Sequence, residues 1–527
     1  MEFNLADLFE SVAAVVPDAE AVVCGTRRLR YRDLDRRADA LAHVLVSMGV
    51  RTGDHVGLWL GNGTEYLEGM LAACKLRAVP VNVNWRYGPT EAAAVLAVAA
   101  PAAVIHEPDL APVLAAVAPR TPGLATGTDY EGALAAAPPG RPPVDGPRSG
   151  DDRYLLFTGG TTGAPKGVVW RQEDAFFAAF GGGNLGGTPV AAPEEVASRA
   201  AAGGGAAARC LPASPLVHAA AQWLALATLL AGGTVLLCPG RGFDPGAVLD
   251  LADVEAAATV VVVGDAMVRP LADALAAAPG RWDLARLTAV LSGGATLSAA
   301  AKEALVACLP HVIVVDLVGA SESGGHGSSL EGRGRISAVS SRFRPNSSTA
   351  VLGDDLRPVT PGSGQVGRLA RRGHVPLGYL GNPEAGTATF PVVDGVRWAL
   401  PGDLARLEAD GTVALLGRGA TVVNTGGEKV HPEEVEAVLR AHPDVADAVV
   451  VGVPDPRWGE AVAAVVAPRA GARPPTLDAL ARHCRASLAA YKRPRALVVV
   501  ERVVRSPAGK ADYRWAREVM RGAGEDG

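Results

Sequence analysis

The chain has 527 residues with a formal net charge of -5, 49% of them hydrophobic and 20% charged. That length accommodates several structural units of roughly 100–200 residues each, and a slightly acidic balance offers no basic footprint for a nucleic-acid partner. The six cysteines are scattered without metal-ligand spacing, most of them in apolar runs such as Val235-Leu-Leu-Cys238, and read as reduced core residues of a cytoplasmic protein.

In chain order, the first ten residues carry acids and no basic flank ahead of an apolar core, so no secretory signal is expected. Leu34, Leu41, Leu45 and Met48 fall on one helical face, His55-Val-Gly-Leu-Trp-Leu60 reads extended, and the alternation to about residue 110 predicts βαβ crossovers and a parallel sheet. Ala135–Pro143 and the Ala/Gly tract Ala200–Ala208 read as loops or linkers. The uncharged run Ala219–Pro239 approaches membrane-spanning length, but Gly232-Gly233 divides it and Gln222 polarises its start. It therefore reads as a buried helix, a glycine turn and the strand Thr234–Cys238, with no integral membrane segment.

Val260–Val263, Ala289–Ser292 and Val312–Val315 are further strand candidates, each followed by small or acidic residues, and open α/β sheets collect ligands at such strand ends. Beyond the glycines around Arg418, Pro432 followed by Glu433 and Glu434 opens a helix. The expected fold class is α/β. A large N-terminal domain of parallel and mixed sheets flanked by helices spans residues 1–418, and a small α/β C-terminal domain spans 419–527, with the boundary near Arg418 to Ala420.

The richest chemical signal is Phe157-Thr-Gly-Gly-Thr-Thr-Gly-Ala-Pro-Lys-Gly167. Small residues let backbone N–H groups converge on one anion, Thr158, Thr161 and Thr162 add hydroxyl donors, and Lys166 adds a charge. Pro165 before the lysine and Gly167 after it exclude the conventional P-loop, so this is a phosphate loop of another type. A plain flexible turn would account for the glycines, though not for three threonines and a lysine.

Further motifs follow in order: Pro215-Leu-Val-His218, Ser292-Gly-Gly-Ala-Thr296, Val318-Gly-Ala-Ser-Glu322, Leu400-Pro-Gly-Asp403, Gly417-Arg418 with Gly426-Gly-Glu-Lys429, Tyr491-Lys-Arg-Pro494 and Ser506-Pro-Ala-Gly-Lys510. Taken singly, His218 reads as a packed core histidine, Glu322 and Asp403 as cap or turn acids, Gly426-Gly427 as a turn, and Lys510 as a solvated lysine. Taken together, the set resembles the adenylate-forming superfamily of acyl-CoA synthetases, adenylation domains and luciferases over essentially the whole chain. Trp170-Arg-Gln-Glu-Asp174, Val318–Ser323 and Ser506–Trp515 look most like the fatty-acyl and steroid-side-chain CoA ligases of actinobacteria.

The resemblance implies the adenylate-forming fold with a mobile C-terminal domain, and a two-step reaction using ATP, Mg2+ and coenzyme A. A carboxylate attacks the α-phosphate, and the thiol of CoA then displaces AMP. By the same resemblance, Thr158, Gly159, Gly160, Thr161, Thr162 and Lys166 hold the β- and γ-phosphates. Gly294, Ala295 and Asp316 flank adenine, Gly319, Ala320 and Ser321 complete the nucleotide site with Ser321 at the α-phosphate, and Glu322 holds Mg2+. Asp403 and Arg418 take the ribose, Lys510 bridges carboxylate and α-phosphate, His218 gates the acyl pocket, and Gly426 and Gly427 lie beside the pantetheine channel.

Two positions depart from the family pattern. Val318 stands where an aromatic usually stacks on adenine, which lowers the expected nucleotide affinity. Gly419-Ala420-Thr421 replaces a charged hinge, leaving rotation free but the anchor absent.

The expected activity is CoA ligation of a bulky hydrophobic acid, with an acyl pocket between Phe176 and Glu322 where Gly, Ala and Val dominate. The alternatives are a ligase specialised for CoA transfer to a supplied acyl-adenylate, and an adenylation enzyme loading a carrier protein in trans. A non-enzymatic descendant would be expected to have lost Lys510, Glu322 or Asp403, and all three are present. The expected partners are the small-molecule acid and CoA, with a homodimer allowed for.

Overall fold

A computed structural model describes residues 1–527 apart from 159–164, 185, 206–207, 296, 335, 337–341, 419–420, 426–427, 456–458, 486, 489, 506–509 and 526–527. The predicted alternation near the N-terminus is present as parallel strands joined by helices. The helix Tyr31–Ser47 buries Leu34, Ala38, Leu41 and Leu45 along one face, and the strand His55–Trp59 pairs in parallel with both Val79–Asn82 and Ala103–His106.

Among the described residues the strands form three sheets. A seven-stranded sheet runs Gly378–Tyr379, Lys166–Arg171, Arg153–Thr158, Val79–Asn82, His55–Trp59, Ala103–His106 and Gly123–Ala125. Its first two strands are antiparallel additions to a parallel remainder.

A 15-stranded sheet is parallel through Thr259–Val262, Ala289–Gly293 and Ile313–Ala320. It then continues antiparallel through Gly324–Glu331 and Arg342–Pro345 to Val413–Arg418 and Asp403–Leu407. A five-stranded sheet is built from segments between Val423 and Val499.

The valine runs are continuous because these strands are covered on both faces. Val260 and Val262 pack with Leu271 and Leu305 on one side, whereas Val261 packs with Leu224 of the helix Ala219–Leu230 on the other. The uncharged run resolves into that helix and the strand Thr234–Leu237, and among the described residues no helix is long and apolar enough to cross a membrane.

The two stretches expected to be loops differ in their first residues. Ala135 and Ala136 end the helix Thr128–Ala136, and Ala200 and Ala201 end the helix Glu194–Ala201. Alanine is the best helix former, so each helix runs on until proline or glycine stops it. All six cysteines are unpaired by disulfides, with Cys74, Cys210 and Cys484 buried.

Candidate active site

Thr158 ends one strand and Lys166 begins the next, and the two are register partners, so the phosphate loop leaves and re-enters the sheet at one point. Gly159, Gly160, Thr161 and Thr162 lie outside the described residues. Asn82, 5% exposed, secures the approach to the loop. Its Oδ1 accepts the Phe157 N–H at 2.6 Å, and its Nδ2 donates to the carbonyls of Phe157 at 2.9 Å and Val217 at 2.8 Å. One buried carboxamide thus uses its acceptor and both donors to tie the residue before Thr158 to the residue before His218.

His218 is half-buried in extended backbone as the N-cap of Ala219–Leu230, and its carbonyl accepts the Gln222 N–H at 3.1 Å. Gln222 Nε2 donates to Tyr66 Oη at 3.0 Å, Tyr154 Oη donates to Gln222 Oε1, and Trp223 Nε1 donates to Tyr154 Oη at 3.1 Å. His218 therefore opens a helix beside the hydrogen-bonded set of Gln222, Tyr66, Tyr154 and Trp223, with its Nε2 buried.

Gly294 follows the strand Ala289–Gly293 with φ +88°, a conformation that favours glycine, and Ala295 comes next. Ser292 is in register with Asp316 and Gly293 with Leu317, so the adenine candidates meet at neighbouring carboxyl strand ends. Gly319 and Ala320 close the next strand. A Cβ on Gly319 would stand 2.7 Å from the Gly324 carbonyl oxygen as the chain turns back.

Asp316 lies 3.3 Å from Lys302, which is fully buried and reaches Glu331 at 3.0 Å. Burial raises Asp316 to about 6 despite the attraction of Lys302. Val318 packs half-buried against the cluster of Phe343, Val351, Leu369 and Val413, so its aliphatic side chain also serves the junction with the antiparallel strands.

Ser321 and Glu322 occupy the following turn, where the Trp170 indole N–H donates to the Ser321 carbonyl at 3.1 Å. The Glu322 carboxylate accepts a hydrogen bond from Tyr379 Oη at 3.2 Å, and the Lys166 ammonium sits 5.1 Å from the centre of the same ring. Lys166 and Glu322, the residues expected at phosphate and metal, thus meet on Tyr379, a residue that sequence reasoning missed; its signal was an aromatic after Gly378 with no chemistry of its own. A cleft of about 430 Å3 opens beside it, lined in part by Leu377, Asn382, Phe390 and Arg397.

Close packing marks the two ends of the stretch expected to hold the acyl pocket. Phe176 is fully buried against Phe3, and a Cβ on Gly324 would stand 2.4 Å from the Ala178 carbonyl oxygen. Gly324, just beyond that stretch, serves close packing of the helix Gln172–Ala178 on the strand Gly324–Glu331. Among the described residues no group of three or more His, Cys, Asp or Glu could hold a metal ion. A single carboxylate nevertheless fits Mg2+ carried by phosphate oxygens and water.

Asp403 and Arg418 are register partners across Asp403–Leu407 and Val413–Arg418, next to Leu404 opposite Gly417. Gly419, Ala420, Gly426 and Gly427 lie outside the described residues. Lys510 is half-buried beside a backbone bridge between Arg505 and Ala511. Arg505 reaches Asp447 with two nitrogens, at 2.7 and 2.5 Å.

A hydroxyl- and lysine-bearing loop, an acid at the following strand turn and an Asp–Arg pair ahead of a second sheet define a nucleotide-using enzyme of the adenylate-forming class. The AMP-binding enzyme family matches residues 9–380 and the AMP-binding enzyme C-terminal domain matches residues 434–510. The chain belongs to this AMP-binding family of the adenylate-forming superfamily.

A medium/long-chain-fatty-acid--CoA/3-oxocholest-4-en-26-oate--CoA ligase of Mycolicibacterium smegmatis is 42% identical, covering 98% of this chain and 97% of its own. A 3-oxocholest-4-en-26-oate--CoA ligase of Rhodococcus rhodochrous is 41% identical, with 98% and 96% covered. Among solved structures, ATP-bound MatB from Rhodopseudomonas palustris superposes with a TM-score of 0.82 at 25% identity, covering 99% of each chain.

Proposed function

We propose that this chain is an AMP-forming acyl-CoA ligase that converts a bulky hydrophobic acid, of steroid side-chain, terpenoid or fatty-acyl type, to its CoA thioester. The single observation that supports the chemistry is the meeting of Lys166 and Glu322 at Tyr379, a cation for phosphate and a carboxylate for Mg2+ in this reading. The names of the relatives above support the substrate class.

In the first step a carboxylate oxygen of the acid attacks the α-phosphorus of ATP and pyrophosphate leaves. A carboxylate repels nucleophiles, and adenylation gives it a leaving group. Lys166 and the loop donors bind the departing phosphates, and Lys510 brings together the two anions that must react. Asp403 accepts from the ribose hydroxyls, Arg418 fixes the sugar, and Ser321 donates to the α-phosphate. Mg2+ held at Glu322 would neutralise triphosphate charge.

In the second step the CoA thiolate attacks the acyl carbonyl and AMP leaves, with His218 between acyl pocket and nucleotide and Gly426-Gly427 beside the pantetheine. Residues 419–527 rotate about Gly419-Ala420 between the steps. The reading places the enzyme in the cytoplasm, and sedimentation velocity tests for a homodimer.

A second reading, a ligase that mainly transfers CoA to a supplied acyl-adenylate, draws on Val318, whose side chain packs into a core cluster and offers no aromatic face to adenine. Mass-spectrometric detection of acyl-AMP and acyl-CoA from a panel of acids, with and without ATP, tests both. Both products, with polycyclic or long acids favoured, are expected. A clear preference for short linear acids contradicts the substrate class, and acyl-CoA formed only from supplied acyl-AMP replaces the first reading by the second.

A further inference from the structure

We propose that Tyr379 is a positioning residue that presets the Glu322 carboxylate and the Lys166 ammonium as one unit before the nucleotide binds, an inference that rests on the metal and phosphate roles assigned above to those two residues. Its hydroxyl donates to Glu322 Oε1 at 3.2 Å and its ring receives Lys166 Nζ at 5.1 Å. The tyrosine cannot drift from the lysine. Tyr379 is the register partner of Val168, Leu377 N–H donates to the Val169 carbonyl at 2.7 Å, and Leu380 N–H donates to the Gly167 carbonyl at 2.8 Å. Phe390 packs on the ring with centroids 5.5 Å apart.

The same Lys166–Arg171 strand holds the acidic turn a second time, since Trp170 donates to the Ser321 carbonyl at 3.1 Å. The backbone of the turn and the carboxylate of Glu322 are therefore both referenced to the strand that begins with Lys166.

The chemistry of a phenol suits this place. A lysine and a glutamate set against each other would form an ion pair that the incoming phosphates and metal must first break. A tyrosine takes the cation on its face and the anion on its hydroxyl, and both interactions are weaker than a desolvated charge pair. The hydroxyl also restricts the rotamers of Glu322 by engaging one oxygen, Oε1. The arrangement lowers the ordering cost of the site without locking it shut.

The test reads binding by the intact protein. Mn2+ affinity is followed by electron paramagnetic resonance in the presence of α,β-methylene-ATP, and metal-free affinity for the same analogue is measured by calorimetry in EDTA. Tyr379→Phe keeps the ring and loses the donor. It is expected to weaken Mn2+ about 5–10-fold, the size of one hydrogen bond to a charged group, with metal-free nucleotide affinity within about twofold of the parent.

Tyr379→Leu is expected to show the same metal loss and, in addition, about threefold or more weaker metal-free binding as Lys166 loses its platform. Parental Mn2+ affinity in Tyr379→Phe, in a background where Glu322→Gln abolishes it, overturns the positioning role and leaves the site assignment intact. Parental Mn2+ affinity in Glu322→Gln itself overturns that assignment and the inference with it. Melting temperatures of all variants within a few degrees of the parent separate these effects from misfolding.

Discussion

Gly417 passes Glu433 so closely that a Cβ on the glycine would stand 1.9 Å from the carboxylate oxygen Oε2. The carboxylate is not free to swing aside, because its other oxygen accepts a hydrogen bond from Tyr513 Oη at 3.2 Å. Gly417 also holds φ +92°, and it sits beside the register pair of Asp403 and Arg418. Gly417→Ala is therefore expected to cost about 1–2 kcal/mol in backbone conformation alone. Displacement of Arg418 should raise the KM for ATP roughly tenfold. Thermal melts and ATP-dependent kinetics check this, and an alanine variant with parental values for both contradicts it.

Asn82 makes three buried hydrogen bonds that join Phe157, next to Thr158, to Val217, next to His218. Asn82→Leu keeps the volume and leaves three buried backbone groups without that partner, at about 1–3 kcal/mol each. The two loops then lose their common reference, and acyl-AMP formation should fall about 100-fold, the scale of a displacement of roughly 1 Å. Pyrophosphate release measured with acid and ATP reads the rate. A destabilised variant that keeps its adenylation rate would show that Asn82 is only structural.

How much of this was visible in the amino-acid order depends on how local each signal is. The strands at Thr259–Val262, Ala289–Gly293 and Ile313–Ala320 were legible because cover on both faces demands continuous apolar residues. Thr158 and Lys166 stood out because hydroxyl donors and a lysine crowd one short segment, and the strand register sets the two residues opposite each other. Asp403 and Arg418 carried little weight singly, and it is the strand register that sets them opposite each other.

Asn82 and Tyr379 were not legible. The partners of Asn82 lie 75 and 135 residues away, Glu322 lies 57 residues from Tyr379, and neither contact leaves a periodicity or a spacing. Gly324 likewise answers a demand for close packing that only the folded backbone shows.

Asp316 predicts a pH dependence of defined sign. Burial raises its carboxyl from 3.8 to about 6. The folded state thus holds this proton more tightly than the unfolded chain, and the associated stability is present below pH 3.8 and lost as pH rises through 6. Between about pH 5 and 7.5 the loss at this one site is about 1–1.5 kcal/mol. Asp316→Asn has no such proton to lose, while Lys302 keeps Glu331 at 3.0 Å. Relative to the parent, the asparagine variant should gain that amount over this interval, read from urea midpoints at the two pH values. A difference that is flat with pH, or of opposite sign, means that Lys302 keeps Asp316 ionised.

Arg505, five residues before Lys510, pairs with Asp447 through two nitrogens and is bridged by backbone to Ala511, the residue after Lys510. If Lys510 neutralises the two reacting anions, Lys510→Ala should lower acyl-AMP formation at least 100-fold, as expected for loss of a group acting on developing charge. CoA transfer from supplied acyl-AMP needs no such bridge and should change less than about threefold, because only an interaction specific to one transition state is removed.

Arg505→Leu should show the same split more weakly, since it loosens the loop and leaves the lysine in place. Arg505→Lys should restore part of the rate, because the charge returns without the two-nitrogen geometry. Single-turnover measurements of each half-reaction decide the matter. Equal losses in both steps would mean that Arg505 maintains the small sheet, whereas a loss confined to adenylation means that it aims Lys510.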